Sequence, residues 1–318
     1  MVVVAVLVVV GGVVGSILLT RPGPPSVVGA APVPAPYGLA ITPDGRHAYV
    51  TSYYSPGSVS VVDTATNIVI ASIPVGSSPI AVAISPDGAR AYIANYGSAT
   101  VSVIDTGTNT VIADLAVGIQ PIALALAPDG RTAYVSNYGS GTVSVINTAT
   151  GRTRASITVG AGPYGIAVSP DGARAYVSNY GSGTVSSINT STTTVDTDVR
   201  VGTHPYDVAT SPDGRRVYVT FVSDHSNALV TLDTTTNTPT GSTPVGAVPK
   251  HVAVSPDGST VYVTNTSGTL SVVDADGTTT ATVPVGSDAS GVAVNPDDHH
   301  VYVANRDDDT AAEIATGR

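Results

Sequence analysis

The 318-residue sequence contains no cysteine, no tryptophan, and only one residue each of glutamate, lysine, methionine and phenylalanine. The absence of cysteine excludes disulfides, thiolate metal ligands and a cysteine nucleophile. Basic residues are also scarce, since 13 Lys and Arg stand against 23 Asp and Glu, for a formal net charge of −10. Nonspecific binding to the phosphate backbone of a nucleic acid requires clustered basic residues, so we expect no nucleic acid partner.

Motifs that mark several enzyme classes are absent too. There is no GxSxG elbow, no HExxH metal motif, no phosphate-binding Gly-Lys loop and no dinucleotide fingerprint. We therefore expect no cofactor and no bound metal, and we assign no catalytic residue. The abundant residues are Val, Thr, Ser, Gly, Asn and Asp, which favour strands and turns. This composition predicts an all-β protein.

The longest apolar run lies at the N-terminus, in residues 1–20. From Val2 to Leu19 only glycines and Ser16 interrupt it, and a membrane-spanning helix needs about 20 such residues. We expect a retained membrane anchor rather than a cleaved signal peptide, with a buried strand as a further alternative. Residues 21–36 are rich in proline and predict an extended stalk. The expected location is extracytoplasmic, as a membrane-anchored or exported cell-surface protein, and the abrupt start indicates a fragment of a longer membrane protein.

A repeated turn divides the rest of the chain. Pro-Asp-Gly begins at positions 43, 86, 128, 170, 212 and 256, and Pro-Asp-Asp begins at 296. A spacing near 42 residues fits four short strands with their turns, here called strands A to D, which make one blade of a β-propeller. The turns predict a seven-bladed propeller with four-stranded antiparallel blades near residues 37–76, 77–118, 119–160, 161–202, 203–246, 247–286 and 287–318.

The two ends of the chain predict how the ring closes. The seventh repeat reaches Arg318 without a strand D, whereas residues 26–29 match the end of strand D elsewhere, as at residues 158–160. We therefore expect the N-terminal strand to complete the last blade, which removes an open sheet edge. The stalk would then leave from the outer rim or from the face that carries the D-to-A connections. We expect a monomeric propeller.

Strand B carries the most specific motif of the repeat. Residues 176–186 read YVSNYGSGTVS, copies begin at Tyr92 and Tyr134, and residues 262–265 read YVTN. Over residues 26–318 the sequence resembles the YVTN-repeat propellers. The resemblance implies a seven-bladed fold seen in archaeal surface-layer proteins and exported bacterial proteins, with a binding or cell-surface role and no catalytic residue to carry over. Related seven-bladed folds include lactonases, a lyase and cofactor-dependent dehydrogenases, among which fold alone does not choose.

Departures from the repeat single out candidate binding residues. They gather in the fifth and sixth repeats, where side chains that bind metals, protons or anions replace small or apolar ones. The departing residues are His204, Tyr206, Asp207, Asp224, His225, Lys250 and His251. The D-to-A and B-to-C connections share one face of a propeller, the usual ligand face, and we place the cluster there. Functionless variation of surface loops is the alternative interpretation.

Tyrosines form a second candidate surface on the ligand face. They stand at the start of strand A or in the B-to-C loop, at Tyr37, Tyr164, Tyr206, Tyr53, Tyr96, Tyr138 and Tyr180. Such amphipathic side chains suit a protein, peptide or glycan partner, although each tyrosine could also pack only against its own loop. We expect the acidic run 307–309 to be a solvated loop, and His299 and His300 to be exposed on the opposite face.

Three functions remain open from these patterns. The first is a noncatalytic binding module whose rigid ring presents its loops on the ligand face. The second is a lactonase-like or lyase-like enzyme with its site in the fifth and sixth repeats. The third is the sensor domain of a truncated membrane receptor. The lack of a compact catalytic motif favours the first.

Overall fold

The computed structural model describes residues 2–10, 13–21, 23–222 and 227–317. Within these ranges every regular element is a β-strand, and no helix is long and apolar enough to cross a membrane. Strands β1 (Val2–Val10) and β2 (Val13–Arg21) pair as an antiparallel hairpin in the segment for which we predicted an anchor. Valine-rich runs favour strands, which accounts for this pairing. The membrane anchor and the stalk remain predictions.

The first four blades are consecutive four-stranded antiparallel sheets. Their strands are β4 (Pro36–Ile41), β5 (His47–Ser52), β6 (Gly57–Asp63), β7 (Ile68–Val75), β8 (Pro79–Ile84), β9 (Arg90–Asn95), β10 (Thr100–Asp105), β11 (Thr110–Ala116), β12 (Pro121–Leu126), β13 (Thr132–Asn137), β14 (Thr142–Asn147), β15 (Arg152–Thr158), β16 (Pro163–Val168), β17 (Arg174–Asn179), β18 (Thr184–Asn189) and β19 (Thr194–Arg200).

The last three blades repeat the pattern, except that the seventh borrows a strand from the N-terminal side. Their strands are β20 (Pro205–Thr210), β21 (Arg216–Val222), β22 (Asn227–Asp233), β23 (Thr238–Pro244), β24 (Pro249–Val254), β25 (Thr260–Asn265), β26 (Thr269–Asp274), β27 (Thr279–Pro284), β28 (Ala289–Val294), β29 (His300–Asn305), β30 (Thr310–Ala315) and β3 (Ser26–Pro32). The predicted seven-bladed architecture is confirmed.

The ring closes as predicted, with β3 as the outer strand of blade seven. Strand β3 pairs antiparallel with β30, from Ser26 opposite Ala315 to Pro32 opposite Thr310. Glu313 fastens blade seven to blade one, because its Oε2 accepts a hydrogen bond from Asn67 Nδ2 at 2.6 Å. Strand D runs toward the D-to-A connection, so the chain reaches Ser26 at the opposite face. The segment before β3 therefore joins the outer rim away from the ligand face, and the other predicted exit, on the ligand face, is wrong.

The A-to-B turns owe their shape to a short hydrogen-bond relay. In blade four, Ser169 Oγ donates to Asp171 Oδ1 at 2.6 Å, and the same oxygen accepts from the Ala173 backbone at 2.9 Å. Gly172 follows at φ 71°, a conformation that favours glycine. The Ser169 hydroxyl and then the backbone amide lower the pKa of Asp171. The repeated turn residues thus fix where strand B begins.

Candidate functional site

Equivalent residues of the seven strands A form rings of side chains around the central channel, because each inner strand contacts its two neighbours. The second residue of each strand gives the upper ring, made of Tyr37, Ile80, Ile122, Tyr164, Tyr206, Lys250 and Ser290. The third residue gives the lower ring, made of Gly38, Ala81, Ala123, Gly165, Asp207, His251 and Gly291. Five members of the lower ring are glycine or alanine, so Asp207 and His251 are its only reactive side chains.

Small residues in the lower ring leave room for the two reactive ones. A Cβ atom added to Gly165 would lie 2.4 Å from Asp207 Oδ1 and 2.6 Å from the Asp207 Cα atom. At Gly38 and Gly291, added Cβ atoms would meet carbonyl oxygens of the next blade at 2.4 Å and 2.6 Å. Glycine at these positions therefore allows the inner strands to approach closely and allows the Asp207 carboxylate to lie beside blade four.

Asp207 and His251 form a hydrogen-bonded pair between blades five and six. His251 Nδ1 lies 3.2 Å from Asp207 Oδ2, which also accepts from the Val252 backbone amide at 3.1 Å. A carboxylate only accepts hydrogen bonds, so this contact requires an N–H group at Nδ1 of His251. His251 Nε2 is buried and has no hydrogen-bond partner among the described residues. A buried polar atom without a partner indicates a position for a water or a ligand.

Threonine hydroxyls on strand B hold the backbone of both residues. Asp207 N donates to Thr220 Oγ1 at 3.0 Å, and His251 N donates to Thr264 Oγ1 at 3.1 Å. Thr220 Oγ1 in turn donates to the Lys250 carbonyl oxygen at 2.6 Å, which ties blade five to blade six. The two reactive side chains thus project from braced positions of a rigid sheet, which favours a fixed mutual geometry.

Three tyrosines of the upper ring connect across the channel and are here called the tyrosine bridge. Tyr37 Oη lies 3.1 Å from Tyr164 Oη, and Tyr164 Oη donates to Tyr206 Oη at 2.7 Å. Burial, followed by the neighbouring tyrosines, raises the pKa of Tyr164 and of Tyr206 above the usual range. Both hydroxyls therefore stay protonated at neutral pH and remain hydrogen-bond donors.

The channel holds two cavities that share the upper-ring residues Tyr37 and Tyr164. The chamber, of about 150 Å³, lies toward the lower ring and is lined by Asp207 and His251 among small and aliphatic residues. The cup, of about 360 Å³, opens toward the ligand face and is lined by the seven predicted tyrosines, Ile80, Ile122 and Arg306. A small group that passes the upper ring would meet the Asp207–His251 pair.

A charged cluster lies beside the cup in blades six and seven. Lys250 Nζ lies 2.8 Å from Asp288 Oδ1, and Arg306 Nε lies 3.0 Å from Asp288 Oδ2. The Lys250 ammonium is also 5.6 Å from the centroid of the Tyr37 ring. Lys250 is 8% exposed, so this ion pair is largely removed from water. Two cations thus share one carboxylate at the edge of the cup.

Sequence analysis missed Asp288 and Arg306, although both depart from the repeat. Asp288 has φ 50° at a position where the other blades also have φ > 0, for example Gln120 and His204. Arg306 occupies the B-to-C position of Tyr180, and each donates its backbone N–H to the D-to-A loop. Applying the departure criterion to blade seven would have found the two residues.

Six of the nine predicted site residues meet around the channel, namely Tyr37, Tyr164, Tyr206, Asp207, Lys250 and His251. His204 does not join them, because it is exposed at φ 52° and its ring lies on Tyr180 with centroids 4.6 Å apart. Asp224 and His225 lie outside the described residues. Groups of three or more metal-ligating side chains are absent from the described part of the chain.

The blade-seven residues on which we predicted no function have structural contacts. Asp309 Oδ1 accepts from the Ala35 backbone at 2.7 Å, and Asp308 Oδ2 accepts from the Ser287 backbone at 2.7 Å, so the acidic run braces loops rather than being only solvated. His300 Nδ1 lies 3.0 Å from Asp297 Oδ2. His299 is exposed, as predicted.

Comparison with known proteins places this site in a family context. The model of the family described as Lactonase, 7-bladed beta-propeller matches residues 26–120 and 111–316. The solved Kuenenia stuttgartiensis hydrazine synthase is similar with a TM-score of 0.83 and 26% sequence identity, over 89% of this chain and 96% of that one. No curated protein sequence matches. The YVTN-repeat resemblance stays a prediction. Because the family matches span nearly the whole propeller, the chain belongs to the Lactonase, 7-bladed beta-propeller family.

Proposed function

We propose that the protein is a lactone hydrolase with the Asp207–His251 pair as its active site. The observation that carries this proposal is the Asp207–His251 pair in the lining of the chamber, where His251 Nδ1 lies 3.2 Å from Asp207 Oδ2 and the buried Nε2 has no hydrogen-bond partner among the described residues. A histidine oriented in this way by a carboxylate is the usual arrangement of a general base. Membership of a family named for lactonases supports the same chemistry.

The proposed reaction is attack of water on the lactone carbonyl. His251 Nε2 takes a proton from water as the water oxygen bonds to the carbonyl carbon. The ring C–O bond then breaks, and the proton passes from Nε2 to the departing ring oxygen, which gives a hydroxy acid. The Asp207 carboxylate stabilises the imidazolium that forms between the two steps. Tyr37 and Tyr164 of the tyrosine bridge line the chamber, and a hydroxyl that leaves its bridge partner would donate to the developing oxyanion.

The size of the chamber limits the group that can react there. Its volume is about 150 Å³, and an engineered protein cavity of about 150 Å³ holds a benzene molecule. A five- or six-membered lactone ring therefore fits, whereas a large substituent must extend through the upper ring into the cup. We expect small-ring lactones to be the reactive part of the substrate.

Hydrolysis of a lactone panel at constant pH, measured by titration of the released acid, tests the proposal. We expect the wild type to hydrolyse γ-butyrolactone or a substituted relative, and His251→Ala to lose about 10²- to 10⁴-fold in kcat/KM. His204→Ala is the matched control, because this histidine is exposed on Tyr180 and lies outside the chamber. A wild type without activity, or an unchanged His251→Ala variant, would contradict the proposal.

A noncatalytic binding module is the second candidate, and the tyrosine-lined cup supports it. Rings of tyrosine suit contact with a glycan, a peptide or a protein. Calorimetry with peptidoglycan fragments and short peptides would distinguish the two functions. Saturable binding that survives His251→Ala, together with no turnover of any lactone, would favour this candidate over the hydrolase.

We further propose that the protein acts outside the cytoplasm, held at a membrane by residues 2–19. The apolar run from Val2 to Leu19 and the proline-rich residues after it support this location. A cell-surface role of the YVTN-repeat or surface-layer type, and a sensor role within a longer receptor, are both compatible with it. Protease treatment of intact cells tests the location, since a protected propeller would contradict it.

A further inference from the structure

The cup differs from the chamber in size and in chemistry. It is more than twice as large, at about 360 Å³ against about 150 Å³. Four consecutive blades contribute one tyrosine each from their B-to-C loops, and the rings are set at angles to the bridge residues. Tyr138 meets Tyr164 edge-on with centroids 6.3 Å apart, and Tyr37 and Tyr53 are tilted at 5.7 Å. Such a wall offers both ring faces and ring edges to a guest.

The charge beside the cup is already neutralised. Arg306 is the charged residue that lines the cup, and its guanidinium lies 3.0 Å from Asp288. An anionic substituent would have to displace this carboxylate, which Lys250 also binds at 2.8 Å. The net charge of −10 further disfavours an anion. The cup thus favours an uncharged guest.

We propose that the cup binds an aromatic substituent of the lactone, so that the preferred substrates are uncharged aryl lactones. This inference rests on the proposed function, because the lactone ring would lie in the chamber while its aryl group extends into the cup. Tyr96 and Tyr138, of the neighbouring blades two and three, are members of the cup wall and would contact such an aryl group.

The test compares kcat/KM for γ-phenyl-γ-butyrolactone, γ-butyrolactone and a carboxylated γ-butyrolactone. We expect the phenyl compound to be preferred by at least about tenfold over the other two, since burying a phenyl group between aromatic rings supplies that difference. In the Tyr96→Ala, Tyr138→Ala double variant, the ratio of kcat/KM for the phenyl compound to kcat/KM for γ-butyrolactone should fall toward one. Tyr54→Ala is the matched control, because Tyr54 is exposed and does not line the cup.

The outcomes separate this inference from the proposed function. Hydrolysis of none of the three lactones would contradict the proposed function and the inference with it. Hydrolysis of all three at equal rates, or a preference for the carboxylated compound, would contradict the inference alone. Thermal unfolding checks that the double variant is folded, and the wild-type preference tests the inference without any variant.

A separate observation concerns the outer wall of the propeller. Each strand D contains one β-bulge, and the bulged residue is Val28, Ile70, Ile112, Arg154, Asp196, Thr240 or Thr280 in blades seven and one to six. The bulged residues of blades seven, one and two are apolar, and they are 57%, 51% and 52% exposed. Val27 and Ile68, also exposed, adjoin them. Four other blades carry polar residues at the same position, so the fold does not require apolar ones.

This apolar wall lies close along the chain to the N-terminal apolar segment. Strand D begins at the face opposite the cup, and all five wall residues lie in the first half of their strands. Neighbouring outer strands contact one another from β3 to β7 and from β7 to β11, so the wall is continuous. The apolar run ends at Leu19, only eight residues before Val27. The segment and the wall are therefore close along the chain.

We propose that the outer wall of blades seven, one and two rests on the surface of a lipid bilayer. Exposed contiguous apolar surface marks interaction sites, and adjacent apolar chain identifies lipid as the occupant here. In this orientation the channel axis runs along the bilayer surface, because the outer wall is parallel to that axis, and the cup opens to the side rather than into the bilayer. Substrate would then reach the cup from solution.

Because the chain has no tryptophan, a single introduced tryptophan reports on the contact between the wall and lipid without background fluorescence from other tryptophans. Ile112→Trp places a reporter on the wall, and Thr240→Trp places one at the same bulge position of blade five. With phosphatidylcholine vesicles that contain brominated acyl chains, we expect strong quenching of the first reporter and little quenching of the second. Equal quenching, or no quenching of the Ile112→Trp reporter, would contradict the proposal. If the emission of this reporter depends on protein concentration in the absence of lipid, the wall binds a second copy of the chain and the bilayer proposal is contradicted.

Discussion

Blades two and three and blades five and six present different side chains from the same positions of one repeat. At the lower ring, Ala81 and Ala123 of the first pair correspond to Asp207 and His251 of the second. In each blade the register of strand A shifts after its first residue, but Ala81 and Ala123 pair with strand B, whereas Asp207 and His251 lie within the shift. The two halves therefore share the four-stranded blade and differ in side chains and in the local pairing of strand A.

This difference shows how a repeat scaffold separates stability from function. Apolar residues in blades two and three keep one side of the channel inert, and they line the chamber and the cup with Ile80 and Ile122. Blades five to seven carry the ionisable groups, which are held in pairs: Asp207 with His251, and Asp288 with Lys250 and Arg306. Pairing reduces the cost of removing charges from water.

The largest effect on stability is expected from Asp288→Asn. The change leaves the Lys250 ammonium, which is 8% exposed, without its carboxylate. Removing one partner of a buried ion pair costs about 3 kcal/mol in the free energy of unfolding. Denaturant titration checks this value. The matched change Asp196→Asn breaks the exposed Arg174–Asp196 bridge and is expected to cost less than about 1 kcal/mol. Equal losses in the two variants would contradict the assigned burial.

Gly165→Ala should have the next largest effect. The added methyl group would overlap the Asp207 Cα atom at 2.6 Å and its Oδ1 at 2.4 Å. Overpacking of this kind costs about 1–3 kcal/mol, and it should also displace the carboxylate from His251 and lower kcat/KM. The reverse change, Ala123→Gly, removes a methyl group from the lower ring of blade three. We expect it to lower the free energy of unfolding by about 0.5–1 kcal/mol and to leave the activity unchanged. Retained activity in Gly165→Ala would show that Asp207 is not held by this contact.

Tyr37→Phe tests the bridge that joins the two halves of the channel. It removes the hydroxyl that lies 3.1 Å from Tyr164 Oη and should cost about 1 kcal/mol of stability. Thermal unfolding of Tyr54→Phe supplies the comparison, because Tyr54 is exposed. A Tyr37→Phe variant as stable as the wild type would mean that the bridge adds no stability.

The sequence predicted most of the fold because the repeat is local. A turn every 42 residues or so, with Pro, Asp and Gly in set order, indicates one blade without knowledge of its neighbours. The Asp207–His251 contact was not predicted as a pair, because it depends on how adjacent blades pack. His204 was grouped with them by its proximity in sequence, yet its positive φ directs it to Tyr180. Asp288 lies 84 residues from His204 in sequence, so proximity along the chain did not indicate it.

The smallest effect concerns the A-to-B turns and acid stability. In blade four the Ser169 hydroxyl lowers the pKa of Asp171, whereas blade three has Ala127 in place of the serine. A carboxyl with a lowered folded pKa stabilises the folded state above its unfolded pKa, and this contribution is lost as the pH falls through the folded value. Ser169→Ala should therefore lower the melting temperature at pH 7 slightly, and the part of the difference that comes from Asp171 should disappear once the pH is below the folded pKa of Asp171. A difference that grows as the pH falls would contradict this account.

The central claim is that Asp207 and His251 act as one unit in lactone hydrolysis, and a double-mutant cycle tests it most directly. We would measure kcat/KM for Asp207→Asn, His251→Ala and the double variant on the best lactone substrate. If Asp207 acts through His251, the double variant should lose no more activity than His251→Ala alone. Losses that multiply in the double variant, or single variants with wild-type activity, would contradict the claim.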